Sequence, residues 1–416
     1  MKTDSKNRNL LPLVLIFSLF FLWAISNNLL SSMVKKMMTI FEMNQAGAEL
    51  IETSYWLAYF LIPIPIAVFM KRFSYKAGIV LGLLVAAAGG LMFLPAAAAN
   101  SFPLYLCVFF IVAIGMCVLE TAANPYVTEL GDPATAPRRL NLAQAFNGLG
   151  GFLAAMVLSK IVLGEDFTKA TLPADYPGGW DGFVQAESHN FKVTYVIFGV
   201  LLIVIAVIFI FSKLPKIQDE EGQGSGKLLS FGVLKRRHLR NGVIAQFFYN
   251  GGQTAVNSLF LVYCINYTGM TVSQATTFFG IYMLCFLLGR WIGTTLMVRF
   301  KPQDMLVFYA LANVLLCLFV CVVGGRAAVY AMLGVSFFMS IIYPTQFSLA
   351  VRDLKGDTKS GSAFLVMAIV GNSIIPLLTA YVQKSLAHPS AAYFIPLICF
   401  AVCAWYGWRG YKLEKC

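Results

Sequence analysis

The chain has 416 residues, of which 59% are hydrophobic and 12% charged, with a formal net charge of +12 and a mean hydropathy of +0.74. These values lie far from the soluble globular average and describe a membrane protein whose main solvent is the lipid bilayer. The basic excess is a topology signal and an attraction to anionic lipid headgroups, so nucleic-acid binding is excluded; nine scattered cysteines and three distant histidines suggest neither a disulfide framework nor a zinc site.

Runs of about 20 mainly apolar residues predict twelve spanning helices, around 10–32, 50–70, 76–98, 103–128, 138–163, 192–212, 241–266, 274–298, 304–323, 327–350, 361–384 and 391–409. The first run is too long for a cleavable signal and carries Asn27, Asn28 and Ser31 near its far end, so it is read as helix one. The second holds Tyr55 and Tyr59, and "VFMKRFSYKAGIVLG" follows it. The fourth contains "VLETAANPYVTELGD" at 118–132, in which Glu120 falls a little to one side of mid-membrane and Asn124, four residues on, shares its face. An isolated charge at that depth costs several kcal/mol, so this carboxyl faces the bundle interior, is protonated, or both. It is read as a proton-binding or substrate-binding group. Pro125 frees the carbonyl of Thr121 and predicts a helix kinked or loosened near 121–125, with Pro344 doing the same in the tenth span.

The fifth span opens "RRLNLAQAFNGLGG", which sets Asn141, Gln144 and Asn147 in a polar stripe, and its glycines permit close helix packing. The long 164–190 stretch is acidic and reads as a connection. "KLPKIQDEEGQGSGKLLSFGVLKRRHLR" at 213–240 reads as a linker between an N-terminal half, 1–212, and a C-terminal half, 241–416. The seventh span repeats the amide stripe with Asn250, Gln253 and Asn257. The eighth carries Arg290, read as snorkelling or pairing with a carbonyl. The tenth brings Tyr343 beside Pro344. Amides and hydroxyls offer both donors and acceptors, the chemistry that replaces water around a neutral polyol. Aromatic candidates for a sugar face are Trp23, Tyr55, Tyr59, Phe146, Phe248 and Tyr343, most of them expected to be ordinary packing.

Lysine and arginine gather in alternate connections: Lys71, Arg72 and Lys76; Arg138 and Arg139; the 213–240 linker; Arg299 and Lys301; Arg352, Lys355 and Lys359. Both termini share this bias, which places them and these loops in the cytoplasm, with Lys35 and Lys36 against the pattern. "TLMVRFKPQDMLVFY" echoes the string after the second span, and Pro344 echoes Pro125, so the halves read as a repeat with the substrate site between them.

"ETAANPYVTELGD", "RRLNLAQAFNGLG", "IPIPIAVFMKRFSYKAG", "GGQTA" and "SIIYPTQFSLAVRDLKGDTKSGSAFLVMAIVGN" together resemble the fucose/glucose/galactose permease branch of the major facilitator superfamily, over about residues 18 to 385. The resemblance implies an all-α fold of twelve transmembrane helices in two pseudo-symmetric six-helix bundles. It also implies an alternating-access symporter for hexoses or 6-deoxyhexoses, usually proton-coupled, in the bacterial inner membrane. By motif, Glu120, Gln144 and Asn147 match residues associated with sugar binding and protonation, and Asn28 matches a binding amide. Fucose-type members typically carry an acid three positions after that amide; here it is Ser31, which leaves Glu120 as the obvious proton carrier and keeps sodium-coupled or uncoupled transport open. A sugar substrate, a proton, surrounding lipid, no cofactor and a monomer are expected. An enzyme is disfavoured by the lack of a nucleophile–base pair or phosphate loop, and a sugar sensor by the lack of a signalling domain.

Overall fold

A segment in lipid must satisfy its own backbone hydrogen bonds, and the helix does so locally. The computed structural model describes residues 10–41, 45–99, 101–154, 167, 169, 171–215, 217, 229–385 and 389–413; some side chains, those of residues 27–36 among them, lie outside the description. Among the described residues the regular structure is helical throughout.

In chain order the helices are α1 (Leu10–Ile40), α2 (Gln45–Leu61), α3 (Pro63–Arg72), α4 (Tyr75–Ala99), α5 (Phe102–Glu129), α6 (Ala136–Leu153) and α7 (Gly179–Phe211). They continue as α8 (Arg237–Thr268), α9 (Val272–Leu296), α10 (Pro302–Val323), α11 (Gly325–Met339) and α12 (Ile342–Ala350). The last are α13 (Thr358–Met367), α14 (Gly371–Ser385) and α15 (Phe394–Trp405).

Among the described residues, 9 helical stretches are long and apolar enough to cross a membrane. The predicted spans outside that set are 10–32, 138–163 and 241–266, the three that carry amide stripes. In the first only Pro12–Ser26 stands as a shorter apolar stretch. The first and second of these run into residues outside the description, the side chains of 27–36 and the stretch 155–163, and only the third is described along its length, where amides and the arginines of its first turn lower the hydropathy of α8.

Several boundaries differ from the sequence reading. Helix α7 begins at Gly179 inside the stretch read as a connection, because Gly178 in the left-handed region (φ 77°) starts the turn and the sequence that follows is free of proline. Helix α1 runs on to Ile40, so Lys35 and Lys36 lie on a helix and not in a loop. The second span divides at Ile62–Pro63 into α2 and α3. The tenth divides at Ser340–Ile341 into α11 and α12, whereas α5 runs unbroken through Pro125. The two prolines therefore act differently: Pro344 follows a break, and Pro125 sits within continuous helix.

Close backbone approach fixes the helices around the centre. A Cβ on Gly150 would lie 2.4 Å from the Phe21 carbonyl oxygen, so α1 and α6 touch there, as the "GLGG" string predicts. A Cβ on Gly289 would lie 2.2 Å from the Phe337 carbonyl, which presses α9 on α11 beside the break. Several of the basic connections meet at one end of the bundle. There Lys71 pairs with Asp357 at 3.4 Å, Arg139 donates to the Val127 and Thr128 carbonyls that end α5, and Lys76 donates to the Ile210 and Ser212 carbonyls that end α7. Cationic groups at helix C-termini are favoured by the unsatisfied carbonyls and the dipole.

Candidate functional site

Glu120 lies on α5, 3% exposed, with buried residues from Cys117 to Thr128 around it. Its carboxyl is answered from α12: the Tyr343 hydroxyl donates to Glu120 Oε1 at 2.5 Å. Asn124, one turn after Glu120, donates Nδ2 to the same hydroxyl at 3.2 Å. Gln144, on α6, donates Nε2 to Asn124 Oδ1 at 3.5 Å. Four of the predicted residues thus form one relay joining α5, α6 and α12. Tyr59 and Tyr55 from α2, and Cys117 from α5, stand within electrostatic reach of the carboxyl.

Tyr343 is placed by the break in its helix. Pro344 has no N–H, so the Ser340 carbonyl four residues earlier loses its helical donor. Arg290 of α9 takes that carbonyl through Nε at 2.8 Å, and the Tyr249 hydroxyl of α8 takes the neighbouring Met339 carbonyl at 2.8 Å. Buried carbonyls in a membrane need such partners. Arg290 also donates Nη1 to the Gln144 carbonyl at 2.7 Å. Of its two sequence readings, pairing with carbonyls is the observed one; at 4% exposed it does not snorkel.

The other amides have different occupations. Asn141 donates to the Pro137 carbonyl at 2.8 Å and to the Thr345 hydroxyl at 3.0 Å, tying α6 to α12. Asn147 is half-buried and donates to the Phe20 carbonyl at 3.0 Å, tying α6 to α1. On α8, Asn250 donates to the Gln246 carbonyl of its own helix at 2.7 Å, and Asn257 accepts from the Tyr282 hydroxyl at 2.6 Å. Gln253 is half-buried and meets no hydrogen-bond partner among the described residues. Asn27, Asn28 and Ser31 lie on α1, but their side chains fall outside the described residues.

Most of the aromatic candidates are packing. Trp23 meets Phe20 edge-on, Phe146 stacks on Phe17 with centroids 5.1 Å apart, and Phe248 packs against Phe247. Tyr343 and Tyr59 stand out by their place around Glu120. Tyr249 and Thr345 escaped the sequence reading, because nothing local marks which tyrosine or threonine will meet a carbonyl or amide from a distant helix. Among the described residues no group of three or more His, Cys, Asp or Glu side chains could hold a metal. A separate cavity of about 780 Å³ opens at the basic end, lined by residues that include Thr128, Pro137, Ser348, Arg352 and Thr358.

An all-helical bundle with a buried acid and amide relay at its centre is the build of a membrane carrier, and the chain belongs to the Major Facilitator Superfamily, whose profile matches residues 15–380. It is 37% identical to the L-fucose-proton symporter of Escherichia coli (strain K12) over 400 residues, 94% of this chain and 91% of that one. It is 33% identical to the glucose/galactose transporter of Brucella abortus (strain 2308) over 413 residues, 99% and 97% of the two chains. Among solved structures it matches the superfamily transporter FucP in the outward conformation with a TM-score of 0.89 at 36% identity, over 97% of this chain and 99% of that one. The architecture is thus the all-α major facilitator fold.

Proposed function

We propose that the chain is a secondary active transporter that carries a neutral hexose or 6-deoxyhexose across the membrane together with a proton, with Glu120 as the proton carrier. The observation that carries this reading is the Tyr343–Glu120 bond, in which a buried carboxyl of α5 is held by a hydroxyl of α12. A carboxyl in that position does two jobs. It exchanges a proton, and the loss or gain of that proton changes a contact between helices that precede the 213–240 linker and helices that follow it. Removing a buried hydrogen-bond partner costs about 1–3 kcal/mol, enough to bias a two-state carrier.

In this reading residues 1–212 and 241–416 form two halves that rock about the central site, joined by the 213–240 linker. Contacts between the two segments join them from the basic end, through Lys71–Asp357 and Asn141–Thr345, to the centre, through Glu120–Tyr343, so sugar enters from the opposite end. The basic end and both termini face the cytoplasm of a bacterial inner-membrane protein in this reading, which the lysine and arginine bias of the connections supports. The substrate is bound by amides and hydroxyls, with Asn250, Gln253 and Asn257 on one side and Gln144, Asn147, Asn124 and Tyr343 on the other. The relatives' named sugars, fucose, glucose and galactose, set the panel to try. The protein works as a monomeric carrier, not an enzyme.

Counterflow of labelled L-fucose, D-glucose and D-galactose into proteoliposomes tests this reading, run with and without imposed proton and sodium gradients. Counterflow of at least one sugar, and its accumulation under a proton gradient alone, is the expected result. No counterflow of any of them contradicts sugar carriage, and accumulation driven only by sodium transfers the coupling to the cation that Ser31 leaves possible.

A further inference from the structure

The relay around Glu120 draws Tyr343 directly from α12 and, through Asn124, Gln144 from α6, and both elements are tied to one residue of a third. Arg290 on α9 donates to the Ser340 carbonyl, at the break that starts α12, and to the carbonyl of Gln144, whose side chain completes the amide relay. Its guanidinium lies 4.4 Å from the Phe286 ring centroid. Both bonds go to neutral carbonyls. An intramembrane cation is expensive, and an apolar side chain of similar volume often serves a purely packing role as well or better. What an apolar side chain cannot do is bridge two carbonyls on separate helices, which the rigid fork of a guanidinium does. Gly289 secures the placement, since the contact of its backbone with Phe337 sets the next residue against Ser340.

We propose that Arg290 is a positioning residue for proton coupling: by holding the Ser340 and Gln144 carbonyls together, it sets Tyr343 and the Asn124–Gln144 pair around Glu120. The inference rests on the coupling role of Glu120 given above. The Ser340 bond lies among helices that follow the linker, whereas the Gln144 bond crosses to α6. Opening of the basic end breaks the second and keeps the first, so the surroundings of Glu120 loosen when α6 moves away. The titratable groups around this unit are Tyr343 and Tyr249 beside the guanidinium, and Tyr59, Tyr55 and Cys117 beside the carboxyl.

The test uses the full-length protein in proteoliposomes and compares wild type, Tyr343→Phe, Arg290→Lys, Arg290→Gln and the Tyr343→Phe/Arg290→Lys double variant. Two quantities are read for each: the pH profile of proton-driven sugar accumulation, and sugar counterflow at fixed pH. Arg290→Lys is expected to move the pH profile in the same sense as Tyr343→Phe and to lower accumulation about tenfold, the effect of losing one charge-assisted hydrogen bond. Counterflow stays within about threefold of wild type by the same arithmetic, and the double variant is no worse than Tyr343→Phe alone, because the two residues act through one path. A wild-type pH profile in Arg290→Lys when Tyr343→Phe has moved it, or equal losses of accumulation and counterflow, overturns the positioning role. If Tyr343→Phe itself leaves the profile unchanged, the coupling reading falls and this inference with it. Arg290→Gln, neutral but still a donor, carries the same test where the lysine variant does not insert.

Discussion

The stripes on α6 and α8 are written in nearly the same way, Asn141, Gln144 and Asn147 on one and Asn250, Gln253 and Asn257 on the other, yet they have different occupations. Every amide of the α6 stripe bonds a neighbouring helix: Asn141 reaches Thr345 of α12, Gln144 reaches Asn124 of α5, and Asn147 reaches Phe20 of α1. The α8 stripe is less committed. Only Asn257 meets another helix, accepting from Tyr282 of α9, whereas Asn250 bonds its own helix and Gln253 has no partner among the described residues. Periodicity shows that a helix has a polar face, but whether that face holds helices together or awaits a solute depends on what stands opposite.

The contrast can be broken by mutation. The largest effect is expected on α8, where Gln253 meets no partner among the described residues and Asn250 bonds only its own helix, which leaves both open to a sugar hydroxyl. Asn250→Ala and Gln253→Ala should weaken sugar binding about 5- to 150-fold, the range for a lost buried hydrogen bond, with thermal stability close to wild type. Calorimetric titration of each variant reads this, and unchanged affinity in both removes α8 from the site. The pair at the basic end comes next. Lys71→Met or Asp357→Leu alone should bias the carrier away from the closed basic end, and a double-mutant cycle on transport rate should give a coupling of about 0.2–1 kcal/mol, up to about fivefold. Full additivity would mean that the pair carries no coupling. The smallest effect belongs to α6. Asn141→Val loses an interhelical bond of about 0.6 kcal/mol, a change in turnover of about threefold, and leaves sugar affinity unaltered; a large affinity loss would make Asn141 a ligand and erase the contrast.

Much of this was legible in the chain. The hydropathy runs and Gly150 gave the helices and one of their close approaches, and Glu120, an acid in an apolar run, could only be a costly exception. Tyr343 was legible only as an aromatic candidate for a sugar face, not as the partner of Glu120. What escaped is long-range. That Pro344 orphans the Ser340 carbonyl follows from chemistry, but that Arg290 answers it, from 50 residues away, depends on how α9 crosses α11. The break in the tenth span against the unbroken α5 has the same origin: proline removes one hydrogen bond in both, and only in the tenth do side chains from α8 and α9 take the carbonyls that a break exposes. The start of α7 inside an acidic stretch was masked by composition, since charged residues in a first turn lower hydropathy without opposing helix.

The central claim is that one carboxyl couples sugar to protons. Its most direct measurement is the sugar-induced pH change outside proteoliposomes containing wild-type or Glu120→Gln protein, recorded beside counterflow of the same sugar. Wild type should alkalinise the medium when sugar is added, and Glu120→Gln should abolish that signal while still exchanging sugar, because a neutral amide mimics the protonated carboxyl. Undiminished alkalinisation by Glu120→Gln would contradict the account.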